Sequence, residues 1–252
     1  MIFVTGDKHG NFNNVFNFFR HKVTDTTQEK DYLIILGDAG INYFLNGKDT
    51  DLKRKLAKLP VTLICIHGNH EERPECLSSY QKTLYSRVKE FSSKNFKHKH
   101  SKDLEGWFYV EEEFPNILFP AIGQSFYING KEFFHLGGAY SVDKYYRLQK
   151  QAEGEKYYKW FESEQLTNQE KDKIREKIMH LPKDVIILSH TCPKKYIPFE
   201  KSLIFEADTA MEMFLDEFER KVYYKKWYCG HWHINHKIDK IHFLYEDIVK
   251  IE

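Results

Sequence analysis

Five short apolar runs, each stopping on a polar segment, constrain this chain more than any other feature. They read "IFV" (2–4), "YLIIL" (32–36), "VTLICI" (61–66), "VIIL" (185–188) and "KWYC" (226–229). Most are rich in Val, Ile, Leu or aromatic residues without strict alternation, which fits strands covered on both faces. They stop at "TGDKHG", "GDAG", "HGNHEE", "SHTCP" and "GHWHINH". Helical patterns lie between them. "NNVFNFFRHKV" sets Val15, Phe18, Phe19 and Lys22 on one stripe. "TDLKRKLAKL" sets Leu52, Leu56 and Leu59 on one face, with Asp49 or Thr50 as N-cap. Strands alternating with helices predict an α/β sheet. Ligands of such sheets bind beyond the carboxyl ends of the strands, so the five segments are expected to meet in space.

The remainder reads differently. "FYINGKEFF" is two apolar runs around Asn129-Gly130, a hairpin signal, and "HKIDKIHFLYEDIVKI" is strand-like. Residues 71–105 are polar and lysine-rich and are expected to form helices with a loop. Residues 144–180 contain "EKYYKWFESEQLTNQEKDKIREKI", which reads as two helices, with Thr167 and Glu170 as a capping box and Leu166 as its staple. The 252 residues suit one domain, 1–252, with insertions near 71–105 and 144–180.

Charge and cysteine usage remove several classes. Lys+Arg number 38 against 37 Asp+Glu, so no bulk basic charge announces a nucleic-acid binder. The four cysteines show no CxxC spacing, which argues against a zinc finger or a disulfide framework. The apolar runs are too short to span a bilayer, and "MIFVTGDKHG" leaves no room for a signal peptide. A reduced, cytoplasmic protein without a membrane partner is expected. Offset by six from the cysteines stand Glu71, Lys82, Pro198 and Asn235. None is the arginine that a cysteine-nucleophile phosphatase needs. Neither a GxxxxGK[ST] loop nor a GxSxG elbow occurs.

The strand-end segments collect ligand-type side chains: Asp7, His9, Asp38, Asn69, His70, His190, His231 and His233. Oxygen and imidazole donors in this mixture suit Mn, Fe or Zn. They are too many for one ion and suit two ions sharing a carboxylate. Two such ions, about 3.5–4 Å apart, are the usual device for in-line displacement at phosphorus. Each residue alone has a plainer reading: Asp7 and Asp38 as strand-end caps, His9 as a helix cap, His70 as a structural hydrogen-bonder. His236 is surplus and reads as a surface or sheet residue. Cys192 and Cys229 read as small core residues.

The ordered set "GDKHG", "GDAG", "GNHE", "SH" and "GHWH", spread over residues 6–233, resembles the calcineurin-like metallophosphoesterase superfamily. Any one motif is weak; five in order, each after an apolar strand, carry the resemblance. It implies an αββα sandwich of two mixed sheets with flanking helices. It also implies that Asp7, His9, Asp38 and His233 hold one ion and that Asp38, Asn69, His190 and His231 hold the other, with Asp38 bridging. His70 would act on the substrate from outside the metal shell. The implied activity is hydrolysis of phosphate mono- or diesters by a metal-bridging hydroxide, with Mn²⁺ the first expectation and Fe or Zn the alternatives.

The substrate is less constrained. Phosphoprotein phosphatases of this superfamily carry phosphate-clamping arginines where this chain has Asn42 and His67, which weighs against a phosphoserine or phosphothreonine substrate. "GNHEERP", "LGGAYSVDKYYR" and "SHTCP" are also distantly similar to lariat RNA debranching enzymes and phage-type phosphoesterases. That makes Arg73, Lys144 and Arg147 candidates to contact substrate phosphate. A nucleotide or nucleic-acid phosphodiesterase, a phosphoprotein phosphatase and a non-catalytic metal or phosphate binder are the competing readings. The sequence sets no oligomeric state.

Overall fold

A computed structural model of the chain describes residues 1–20, 31–86, 97–101, 103–198 and 208–252. Lys22, expected on the first helical stripe, lies outside the described residues. The five apolar runs form parallel strands. These are β1 (Ile2–Thr5), β2 (Asp31–Ile35) and β3 (Val61–Cys65) in one half of the molecule, and β10 (Ile186–Ser189) and β11 (Lys226–Cys229) in the other. Hairpins and short strands extend both halves: β4 (Tyr80–Ser86), β5 (Lys97–His100), β6 (Leu104–Glu111), β7 (Ile117–Pro120), β8 (Ser125–Ile128), β9 (Lys131–Leu136), β12 (His236–Ile238), β13 (Ile241–Phe243) and β14 (Val249–Lys250).

Together the strands make a large curled mixed sheet whose two halves share β6. Its C-terminal residues, Phe108–Val110, pair with β7, whereas Leu104 and Glu105 pair with β8. Gly106 sits at the changeover with φ +130°, where an added Cβ would lie 2.7 Å from Phe126 Cβ. Only glycine allows both that conformation and that approach.

Two-sided burial explains why the strand sequences lack alternation. Ile2 and Val4 of β1 join Ile34, Ile64, Leu188 and Tyr228 in a core between the two sheet halves. Phe3, between them in sequence, faces the other way and joins Leu33, Ile35 and Leu63. That outer face is covered by α1 (Asn13–Phe19), through Val15 and Phe19, and by α2 (Gly47–Leu56), through Leu56. The opposite outer face packs α4 (Asn168–Ile178) and α5 (Ala210–Lys221) against Phe134, Ile187 and Trp227. A fifth helix, α3 (Lys144–Ala152), follows β9. Each fully buried Leu, Ile or Phe contributes roughly 1.5–3 kcal/mol, so three apolar layers hold the sandwich together. The layers run helix, sheet, sheet, helix, as expected.

Several local expectations need correction. The 71–105 segment is not helical where it is described. A short 3₁₀ turn (Pro74–Cys76) leads into β4, where Tyr80, Thr83 and Tyr85 meet β6 across an antiparallel ladder. Aromatic and β-branched residues at a pleated, half-buried surface outweigh the helix preference of the interspersed lysines. Helix α2 begins earlier than expected. Asn46 is its N-cap, accepting from Lys48 N–H, while Asp49 lies in the first turn and accepts the Phe44 and Leu45 amides. In 144–180 the first helix ends before "EKYYKWF", which is irregular. The Thr167–Glu170 capping box is present as read, with Leu166 buried in the same cluster as Ile174. Asn129 and Gly130 turn the β8–β9 hairpin with φ values of 51° and 77°, both in the left-handed region that such turns require.

Candidate active site

All five polar segments emerge at the carboxyl ends of β1, β2, β3, β10 and β11, and their side chains converge. The backbone is bent to achieve this. His9, Asp38, His231 and His233 all have positive φ, from 44° to 65°, in a region that non-glycine residues seldom occupy. Such strain persists only where the surroundings enforce it. Three glycines let the segments close in. A Cβ on Gly37 would collide with the His190 ring, one on Gly68 with the Asp38 carboxylate, and one on Gly230 with the Asp7 carboxylate.

Two buried carboxylates organise the centre. Asp7 Oδ1 accepts the His231 N–H at 2.9 Å, and Asp38 Oδ1 accepts the His70 N–H at 2.8 Å. Their other oxygens face imidazoles. Asp7 Oδ2 lies 3.1 Å from His233 Nε2 and 3.9 Å from His9 Nε2; Asp38 Oδ2 lies 3.4 Å from His190 Nε2 and 3.9 Å from His9 Nε2. Asp7 Oδ2 is buried and has no hydrogen bond. Burial raises the pKa of both acids, but His190 beside them reverses the effect and holds both below the ordinary carboxylate range. Three donor sets have ligand atoms within 4.8 Å of one another: Asp7, His9 and His233; His9, Asp38 and His70; Asp7, Asp38 and His190. Each aspartate belongs to two sets.

His190 is fully buried. Its Nδ1 faces Leu36 O at 2.7 Å and its Nε2 faces Asn69 Oδ1 at 2.8 Å. Asn69 is oriented by donating its amide to Ser141 Oγ at 2.9 Å. Both His190 nitrogens therefore face acceptors, as in an imidazolium. Burial pulls the pKa down, but the Asp38 and Asp7 charges overcome it and raise it to about 9. His190 Nε2 thus lies among Asn69 Oδ1, Asp38 Oδ2 and Asp7, where a cation would fit. With the orphaned Asp7 oxygen, that makes the donor set suited to divalent ions.

His231 and His233 diverge, as the loop past Gly230 predicts. His231 packs ring to ring with His190, centroids 5.0 Å apart, while His233 stacks on Tyr245 and brings its Nε2 to 3.1 Å from His9 Nε2. His236 lies exposed on β12, and Cys192 and Cys229 are buried thiols.

The three cations read as substrate contacts are placed differently from one another. Arg147 is buried and reaches the centre. Its Nη2 lies 2.9 Å from His70 Nδ1 and 3.1 Å from Nε2, while Nε binds Asp143 and Nη1 binds Lys159 O. Lys144 sits with its ammonium 4.2 Å from the Trp160 ring centroid. Arg73 is not brought to the centre. It is buried, and its three nitrogens donate to Ser163 O, Glu170 and Gln165 O, so it ties the segment after β3 to the first turn of α4 and the stretch leading into it.

Sequence reasoning missed two residues of the site. Ser141 follows the carboxyl end of β9, so the strand-end rule applied to a sixth strand finds it. Glu71 is fully buried, faced by the amides of Gly68 and Ala39. Burial and then the Asp38 charge push its pKa up to about 8. A cavity of about 510 Å³ opens beside His9 and His70, walled by Tyr43, Phe44 and α2.

The sequence profile of the calcineurin-like phosphoesterases matches residues 1–235. No curated protein matches the chain. Among solved structures, the phosphopantetheinyl hydrolase of Mycobacterium tuberculosis is similar at 12% identity, with a TM-score of 0.40 over 97% of this chain and 87% of that one. With the match spanning nearly the whole sequence, the chain belongs to the calcineurin-like phosphoesterase family and is a phosphoester hydrolase.

Proposed function

We propose that the chain hydrolyses phosphate esters with two divalent ions. Asp7, His9, Asp38 and His233 would hold one, Asp38, Asn69, His190 and His231 the other, and Asp38 would be shared. One observation carries the reading: each buried aspartate belongs to two donor sets. Mn²⁺ is the first candidate, with Fe and Zn suited to the same donors. When bound, the ions would neutralise phosphoryl charge and lower the pKa of nearby water.

The chain's own residues do the rest. In hydrolysis a bond forms from a water oxygen to phosphorus, the bond to the leaving oxygen breaks, and that oxygen takes a proton. His70 is the candidate hydrogen-bond donor to that oxygen, and the proton itself comes from water. Arginine can only donate, and Arg147 Nη2 lies 2.9 and 3.1 Å from the two His70 nitrogens, so the one that accepts from it carries no proton and the other carries the ring N–H. That N–H is the one read as facing the leaving oxygen. Burial lowers the His70 pKa, with Arg147 and His9 adding to it against the pull of Asp38, to about 4. The ring is therefore neutral at pH 7 and acts as a hydrogen-bond donor to developing charge. Asp38 fixes the His70 backbone, and Arg147 fixes its ring.

A phosphoprotein substrate is disfavoured by Asn42 and His67. Both are buried and tied into the scaffold, Asn42 to Tyr80 and Glu72 and His67 to Ser163 O, and neither offers a cationic clamp. The four cysteines are unpaired, which suits a reducing cytoplasm, and no helix among the described residues is long and apolar enough to cross a membrane. The test is elemental analysis of protein purified without chelator, with p-nitrophenyl phosphate hydrolysis measured before chelation, after it and after Mn²⁺ addition. Two equivalents of metal and restored turnover are expected. Full activity in the metal-free chain overturns the reading.

A further inference from the structure

The cavity beside His9 and His70 has a chemistry of its own. At about 510 Å³ it falls within the range of small-molecule sites and has room for a nucleotide-sized group. Tyr43, Phe44 and Leu52 supply apolar and aromatic wall; Lys48 and Lys55 supply positive charge. Its two carboxylates are already engaged: Asp49 accepts the Phe44 and Leu45 amides, and Asp51 pairs with Arg54 at 3.2 Å. Lys55 has no carboxylate partner among the described residues. The Lys48 ammonium stands 4.5 Å from the Phe44 ring centroid and 4.5 Å from that of Tyr157, which is 62% exposed at the rim. Tyr43 OH donates to Tyr157 O at 2.7 Å, so this rim is fastened to the cavity wall.

A pocket with flat aromatic rings and two cations matches a ligand with a planar ring and an anionic group. Base–aromatic stacking and charge-assisted hydrogen bonds would both hold such a ligand. The cavity opens on His70, the residue read above as facing the leaving oxygen. Resting on that reading, we propose that this cavity is the leaving-group subsite and that it takes a nucleoside bearing a second phosphate. Tyr43 and Phe44 receive the base, and Lys48 and Lys55 pair with the phosphate that is not transferred. A free nucleotide and a nucleic-acid end carry the same chemistry.

Two measurements test this. The first is equilibrium binding of a ribose-labelled fluorescent adenosine diphosphate to the wild type, to Lys48→Ala/Lys55→Ala and to Phe44→Ala. These exposed or rim positions leave the three core layers intact, and circular dichroism checks that. Binding is expected to weaken at least about tenfold in each variant; equal binding by wild type and both variants overturns the subsite. The second is the ratio of kcat/KM for adenosine 3′,5′-bisphosphate to that for p-nitrophenyl phosphate. It is expected to fall about tenfold or more in the double variant. An unchanged ratio with intact metal-dependent p-nitrophenyl phosphate hydrolysis overturns the subsite while the phosphoesterase reading stands. Loss of all metal-dependent hydrolysis in the wild type overturns that reading, and binding still decides the subsite. Displacement of the fluorescent ligand by mononucleotide and by a single-stranded ten-nucleotide oligomer distinguishes the two sources. Tighter displacement by the oligomer assigns the subsite to nucleic-acid ends, and tighter displacement by the mononucleotide assigns it to free nucleotides.

Discussion

The two halves of the donor cluster are built differently. The inner half, around His190, Asn69 and Asp38, is almost wholly buried, and each member has a fixed partner: Leu36 O for His190, Ser141 for Asn69, the His70 amide for Asp38. The outer half, His9 and His233, keeps side chains 35% and 46% exposed, and their two Nε2 atoms face each other at 3.1 Å. An inner ligand set held by hydrogen bonds is pre-organised and costs little to order. An outer set that shares one aspartate and otherwise leans on Tyr245 has more freedom. The difference predicts one tightly and one loosely held ion, joined by the residue common to both, Asp38.

Breaking the shared residue should have the largest effect. Asp38→Asn is expected to lower phosphoesterase kcat by roughly 10³-fold or more, since removing a single electrostatic stabiliser alone costs about 10²–10³. Elemental analysis should show both ions depleted. Retention of the inner ion with only the outer one lost would end the idea that Asp38 serves both. His70 offers the contrasting case. His70→Gln should keep the metal content and lower kcat by roughly 10²–10³-fold, the usual cost of losing one hydrogen-bond donor to developing charge. Arg147→Ala should move kcat in the same direction by a smaller factor, because it acts through His70. Emptying of a metal site in His70→Gln would make His70 a ligand, which its place in a donor set with His9 and Asp38 allows for as a test outcome.

The inner half was also the more legible in sequence. Its members sit at the ends of strands whose apolar runs are unmistakable, so position along the chain sufficed to gather Asp38, Asn69 and His190. The outer residues were gathered from strand-end segments in the same way, but the separation of His231 from His233 depends on left-handed backbone past Gly230, which no composition rule specifies. Arg73, Lys144 and Arg147 show where reading stops. All three are cations near motifs, yet one is spent on α4, one on Trp160, and one reaches His70. Which acceptor a long side chain finds is decided by tertiary packing. Strand β4 was hidden for a related reason: its pairing is supplied by β6, farther along the chain.

Pre-organisation of the inner half can be loosened without touching a ligand. Ser141→Ala removes the acceptor of the Asn69 amide. Such supporting groups typically alter metal affinity by roughly 10–100-fold. Competition with a fluorescent chelator should show the tighter ion weakened and the looser one nearly unmoved. Equal weakening of both would mean that the two halves are one rigid unit.

The smallest expected effect, up to about tenfold per pH unit, concerns the proton that His190 holds without metal. Its pKa in the metal-free fold, about 9, exceeds its ordinary 6.5. A group raised in this way contributes stability that is complete below about 6.5 and is lost as pH rises through about 9, because the unfolded chain releases the proton first. The metal-free chain should therefore melt at lower temperature as pH rises across that window, where losing the imidazolium leaves the Asp7 and Asp38 charges facing each other. Metal binding must expel the same proton, so inner-ion affinity should climb with pH and level off near 9, with close to one proton released per inner ion at pH 7.5. Calorimetry in buffers of different ionisation enthalpy counts that proton, and parallel melts with metal show whether the alkaline loss disappears once a cation replaces it. A pH-independent inner affinity with no proton release would mean that His190 is neutral and that the inner half is held by packing rather than by a stand-in charge.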